Sequence, residues 1–193
     1  GVNPANGEQL WYDKNGNVTN EFRESDKVMT GKTYDAPWMG GFGTSFRWKG
    51  LQLSAQFSWI GTRYVINNDR YFEEGGVTFG TAYNQSRRVL YNRWKNPGDI
   101  TDIPKWGEVN QLDDRYLENA SFLRLKNLSL SYSLPQAWLS KTKFFTLVRI
   151  YAQAQNLFTI TGFNGLDPEV SSNVYQAQYP ASRQFTLGME VSF

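Results

Sequence analysis

The 193-residue chain carries 20 Lys and Arg against 18 Asp and Glu, a net charge of +2, and 16% of it is aromatic. It has no His and no Cys, which removes the commonest general base and metal ligand and any disulfide or thiolate site, and so weighs against an enzyme. No apolar run approaches the ~20 residues of a membrane-spanning helix, but neither that nor a mean hydropathy of −0.55 excludes a membrane barrel, whose strands need only ~9–11 alternating residues.

Residues 1–37 are rich in Gly, Asn, Asp and Lys, and LWYDKNGNV predicts a hairpin turning at Asn15-Gly16. Asp13, Asn15, Asn17 and Glu24 echo positions 1, 3, 5 and 12 of a calcium loop, but Val18 stands where such a loop needs Gly. A hairpin is the better reading, and no metal is expected. The opening GVNPANGEQLWY has neither a basic nor an apolar leader segment, so an exported protein would require these residues to be a fragment.

From residue 38 the pattern changes. Phe42, Thr44, Phe46 and Trp48 alternate with Gly43, Ser45 and Arg47. After Lys49-Gly50, the apolar Leu51, Leu53, Ala55, Phe57 and Trp59 alternate with Gln52, Ser54, Gln56 and Ser58. This is the strongest hairpin in the chain. Residues 61–119 hold no sustained period, although 84–95 suit a short helix. SFLRLKNLSLSYSL (121–134) is a strand whose phase changes between Leu125 and Leu128, which predicts a bulge near Lys126-Asn127. PQAWLSKTKFF connects it, with one helical turn, to TLVRIYAQAQNLF (146–158). After irregular residues 159–182, RQFTLGMEVSF sets Phe185, Leu187, Met189, Val191 and Phe193 against polar neighbours.

Alternation alone suits any half-buried antiparallel sheet. Three features favour a transmembrane β-barrel. The second face is wet in character, aromatics gather at strand ends as interfacial girdles, and short connections alternate with long ones. The expected strands are 38–48, 51–62, 121–134, 146–158 and 183–193, all antiparallel, with 1–37 an outer hairpin or loop. If the chain ends in the periplasm, every short turn falls there and loops 61–119 and 159–182 fall outside the cell. Five strands cannot close, since such barrels begin at about eight.

ASFLRLKNLSLSYSLP, VRIYAQAQNLFTITGFNGLDPEV and YPASRQFTLGMEVSF, with RRVLYNRWKNPGDITDIPKW upstream, closely resemble the end of SusC/RagA-like TonB-dependent outer-membrane transporters. The resemblance covers residues 37–193. It implies an all-β fold, the C-terminal five antiparallel strands of a roughly 22-stranded barrel with long extracellular loops. It also implies a plug and TonB contact supplied by the rest of the protein, a SusD-like lipoprotein partner, and import of oligosaccharides or, in some members, peptides. Phe193 would be the C-terminal assembly signal. No cofactor and no nucleic acid are implied.

Sugar rings stack on aromatics while hydroxyls pair with polar groups. Asn68, Asp69, Arg70, Tyr71, Tyr83, Asn84, Arg87, Arg88 and Trp94 in the long loop are therefore candidate cargo contacts, although loops also fold on themselves with such residues. Arg47, Gln52, Gln56, Arg149, Gln153 and Glu190 are expected to line the lumen. Glu73-Glu74 and Asp113-Asp114 read as solvated loop charges, and GLDPEV as a loop-bracing turn. Rival readings are a passive porin or adhesin barrel, which would lack plug and TonB contact, and a soluble carbohydrate-binding β-sandwich.

Overall fold

The computed structural model describes residues 1–75 and 84–193. In chain order its elements begin with β1 (Trp11–Tyr12), β2 (Val18–Thr19), β3 (Trp38–Trp48), β4 (Leu51–Gly61), β5 (Tyr64–Asn67), α1 (Asn68–Glu74) and α2 (Arg87–Asn92). They continue with β6 (Leu117–Asn119), β7 (Phe122–Ser133), α3 (Gln136–Thr142), β8 (Leu147–Thr161), β9 (Val174–Tyr175) and β10 (Gln184–Ser192). Two compact units emerge. A loop unit takes Gly1–Tyr34, Val65–Glu118 and Ser172–Ala177, and a sheet unit takes Asp35–Tyr64, Asn119–Ser171 and Gln178–Phe193.

The sheet unit is one antiparallel sheet of order β10-β8-β7-β4-β3. Its tightest connection is Lys49-Gly50, both at positive φ (45° and 87°), the mirror-image turn that matches strand twist. A side chain on Gly50 would strike the Ser133 carbonyl, and the Ser133 N–H donates to the Gly50 carbonyl at 2.9 Å. Gly is therefore required there sterically as well as conformationally. α3 makes the other short connection, and both lie at the same end of the sheet.

Register sorts the side chains into two faces. Phe42 lies opposite Phe57, Phe46 opposite Leu53, Leu53 opposite Leu130, Leu130 opposite Ala152, and Ala152 opposite Leu187. The Phe42 and Phe57 rings stack at 4.9 Å. The other face pairs Arg47 with Gln52, Gln52 with Ser131, Ser129 with Gln153, and Gln153 with Thr186. Leu187 (80%) and Met189 (65%) on the apolar face are largely exposed. A contiguous apolar face of this extent is what a lipid-facing wall presents.

The expected bulge is present. β4 pairs Gln56 with Asn127 and then Phe57 with Leu125, leaving Lys126 unpaired. β8 adds a second irregularity, for Gln155 meets Asn127 while Phe158 meets Leu125, and Asn156 sits at φ 51°. Beyond it the pairing continues, so β8 runs on to Thr161 opposite Phe122 rather than stopping at residue 158. The alternation keeps its parity across Asn156, so Phe158 and Ile160 stay on the apolar face with Ala152 and Ala154, opposite Leu125 and Leu123.

The loop unit is more ordered than its lack of period implies. β6, β5 and β9 form a small sheet, α1 is capped by the Asn67 side chain accepting from the Arg70 N–H at 3.2 Å, and α2 is capped by Ser86. Among its described residues, Val65, Val89, Ile103, Tyr116 and Tyr175 are the buried apolar ones. The N-terminal segment packs into it. The Trp94 indole donates to the Pro4 carbonyl at 3.0 Å, and the Arg115 guanidinium donates to Gln9 at 3.0 Å. Residues 65–118 are thus grouped with residues 1–34, a division that hydrophobic period does not reveal.

The β1–β2 hairpin closes on Asp13. Its carboxylate accepts from the Asn15 and Asn17 N–H groups, both at 2.8 Å, and from the Asn17 amide at 3.0 Å. Those hydrogen bonds hold the carboxyl below the usual carboxylate range and employ Asp13 and Asn17, two of the side chains that echoed a calcium loop, in a turn instead.

Candidate functional site

The six expected lumen residues share the polar face of the sheet. Arg149 donates to the Ser131 hydroxyl at 3.2 Å and lies 3.9 Å from Glu190, and Gln56 accepts from the Asn127 amide at 3.0 Å. On the same face the phenolic end of Tyr151 lies against Gly188, in the space a Cβ there would occupy.

The candidate cargo contacts divide by environment. Arg70 is the hub of an ion-pair cluster, donating to Glu118 at 2.6 Å and to Glu74 at 3.0 Å. Burial alone would lower its pKa, but the hydrogen bonds to Glu74 and Glu118 raise it above the ordinary arginine value. Arg88 bridges Glu74 and Asp102, both at 2.5 Å. Glu74 is therefore buried and doubly paired, not a solvated loop charge. The same correction holds for Asp113, which accepts from the Trp11 indole at 2.9 Å and pairs with Arg115 at 3.1 Å.

Asp69 accepts from the Ala177 N–H at 3.0 Å. Tyr71 meets Tyr116 edge-on at 5.6 Å, and its carbonyl accepts from the Asn110 amide. Trp94 covers Gly7, whose positive φ and lack of a side chain allow the contact. Asn68 is half-buried in the first turn of α1, while Asn84 and Arg87 are exposed, Arg87 lying over the Tyr91 ring at 5.9 Å. Tyr83 lies outside the described residues. An open groove of about 510 Å³ in this unit is lined by Tyr91, Arg93, Lys95, Asp99, Ile100 and Asp102, among others. None of the described candidate cargo residues lines it.

A cluster in the sheet unit escaped sequence reasoning. Arg124, only 2% exposed, donates to Thr159 at 2.9 Å, to Glu169 at 2.8 Å and to Asp167. Lys126, the bulge residue, reaches Glu169 at 2.7 Å. Asp167 also accepts from the N–H groups of Ala181 (2.8 Å) and Glu169 (2.9 Å). Burial opposes ionisation of Asp167, but these donors outweigh it and hold its carboxyl below the usual range. GLDPEV therefore braces its loop by clamping onto β7. The signal was an Arg in phase with the apolar residues' opposite parity, with acids in the next loop, but nothing in the spacing joins them.

No family model matches the chain. It is 30% identical over 97% of its length to "TonB-dependent receptor P3" of Formosa agariphila, and 30% identical over 96% to "TonB-dependent receptor SusC" of Bacteroides thetaiotaomicron. All of it superposes on solved structures of the RagAB peptide importer. The match to the open-open state has a TM-score of 0.90 at 39% identity, and that to the closed-closed state 0.88 at 40%. The chain spans only 18–19% of those two receptors and 21–22% of the RagAB chains. The fold is thus a segment of a TonB-dependent receptor, a class of outer-membrane transport barrels rather than enzymes. Within that class the chain belongs to the SusC/RagA-like family.

Proposed function

We propose that this chain supplies part of the wall and of the outer loop layer of a TonB-dependent importer of oligomeric nutrients, oligosaccharides in the first instance. The rest of the receptor provides the remaining strands, the plug and the TonB contact, and a SusD-like surface lipoprotein covers the mouth. The carrying observation is the two-faced sheet, with an exposed apolar stripe on one face and Arg47, Gln52, Gln56, Arg149, Gln153 and Glu190 on the other. In this reading the polar face lines the lumen, and the end bearing Lys49-Gly50 and α3 faces the periplasm. Peptide cargo is the second reading, favoured by the 39–40% identity to an importer described as one for peptides.

With Arg70, Arg88, Asp69 and Trp94 held in contacts within the loop unit, the exposed Asn84 and Arg87 are the candidates best placed to meet cargo. Uptake of labelled oligosaccharides and oligopeptides by cells carrying the full receptor, with and without TonB and the lipoprotein, tests the proposal. Uptake of one cargo class that collapses without TonB supports it. Uptake indifferent to TonB would make the barrel a passive porin.

A further inference from the structure

We propose that the short-turn end of the sheet carries a belt that selects anionic phospholipid headgroups, built from Lys49, Lys141 and Lys143 beside Trp48, Trp138 and Phe144. It rests on that end facing the periplasm, the orientation proposed above. The apolar stripe ends here in aromatics. Trp48 stands opposite Leu51 at the turn, and the Phe144 ring meets that of Phe193 at 5.0 Å, one step beyond the apolar positions of β10. The belt is therefore continuous with the face that meets lipid.

α3 presents rather than buries its Trp. Leu139 is its buried residue, while Trp138 and the following Phe144 are each 62% exposed. The turn is held in place from both sides, by the Gln136 amide donating to the Thr146 carbonyl at 3.2 Å and the Thr142 hydroxyl donating to Leu139 at 2.7 Å. Lys143 caps α3 in the left-handed conformation, and Lys49 holds its ammonium 5.1 Å over the Trp48 ring.

Among the side chains the charge here has one sign. Residues 47–52 and 134–146 contain no Asp or Glu. Glu190, on the polar face, lies beside Arg149 instead. Exposed aromatic rings settle at the headgroup level, and lysines beside them extend their stems along apolar surface to keep the ammonium among phosphates. A protein partner would also meet an apolar and basic surface, but not one that continues the lipid-facing stripe without a break.

The full receptor reconstituted in phosphatidylcholine, with trace spin-labelled phosphatidylglycerol or phosphatidylcholine, gives relative association constants by electron spin resonance. The wild type is expected to prefer phosphatidylglycerol, and K49Q/K141Q/K143Q to lower that preference at least about fivefold, the effect of roughly one lysine near an anionic surface. K49R/K141R/K143R should keep it, which guards against misfolding, as should K14Q/K27Q/K32Q in the loop unit. Equal association of both lipids, or a preference that survives the glutamine variant, overturns the inference. A Trp138→Cys receptor labelled by a membrane-impermeant maleimide only after the outer membrane is opened supports the orientation. Labelling in intact cells overturns the orientation itself, and with it the topology of the proposed importer.

Discussion

In the sheet unit the large apolar side chains of β3 and β10 are exposed, Leu187 and Phe185 foremost, whereas in the loop unit Val65, Tyr116 and Tyr175 are sealed from solvent. Apart from the buried Arg124–Asp167 clamp of the sheet unit, charges follow the reverse pattern. Arg70, Glu74 and Glu118 are drawn into the loop unit's interior, while Arg47 and Glu190 stand on an open face. In the proposed importer each unit meets a different solvent. A wall with lipid on one side needs a complete backbone ladder and an apolar outer stripe. A loop layer in water with few buried apolar residues must hold its shape by caps, stacked rings and paired ions. The lesson is that exposure of apolar residues is a defect in one setting and the design in the other.

The largest expected effect comes from removing a buried cation that other groups depend on. Arg70→Ala in the loop unit and Arg124→Ala in the sheet unit should each cost about 3–5 kcal/mol, because each strands a buried carboxylate. Limited proteolysis of the full receptor should localise the damage, to residues 65–118 for Arg70→Ala and to 162–183 for Arg124→Ala. The Arg124 clamp also has a pH signature. Asp167 has a depressed pKa when folded, so its contribution is complete above the unfolded carboxylate value and fades as pH falls through the lower folded value. The 162–183 loop should resist protease at pH 5 and yield below about pH 4. Asp167→Asn should yield already at pH 5.

A smaller effect separates the two faces of one strand. Leu130→Arg on the apolar face should destabilise the folded receptor in bilayers by about 2–4 kcal/mol, whereas Ser129→Arg on the polar face should cost little. Urea titration of the reconstituted receptor reads both. Smaller still, Gly188→Val must displace the Tyr151 ring, costing about 1–3 kcal/mol. Gly188→Val with Tyr151→Ala should recover part of that loss if the clash is the cause.

The wall was legible in the sequence because a two-residue period is a local signal, and in the proposed barrel each face meets one medium along its whole length. Even the Lys126 bulge announced itself, since Leu125 and Leu128 break parity. The second irregularity, at Asn156, did not, because the apolar parity of Ala152 and Ala154 continues at Phe158 and Ile160 and leaves no phase change to read. The loop unit was illegible for a different reason. Its organisation rests on contacts such as Trp94 with Gly7 and Arg115 with Gln9, separated by about a hundred residues, and no periodicity records them. Glu74 looked solvated beside Glu73 because its partners Arg70 and Arg88 converge only once α1 and α2 have formed.

The assignment of faces on β7 is tested most directly by a cysteine scan of residues 122–133 in the reconstituted full receptor, each site spin-labelled and probed with oxygen and a water-soluble nickel complex. Oxygen accessibility should peak at Leu123, Leu125, Leu128, Leu130 and Tyr132, with the phase shifting across Lys126. A single unbroken alternation through residues 122–133, or no alternation at all, would contradict a bulged wall with lipid on one face and water on the other.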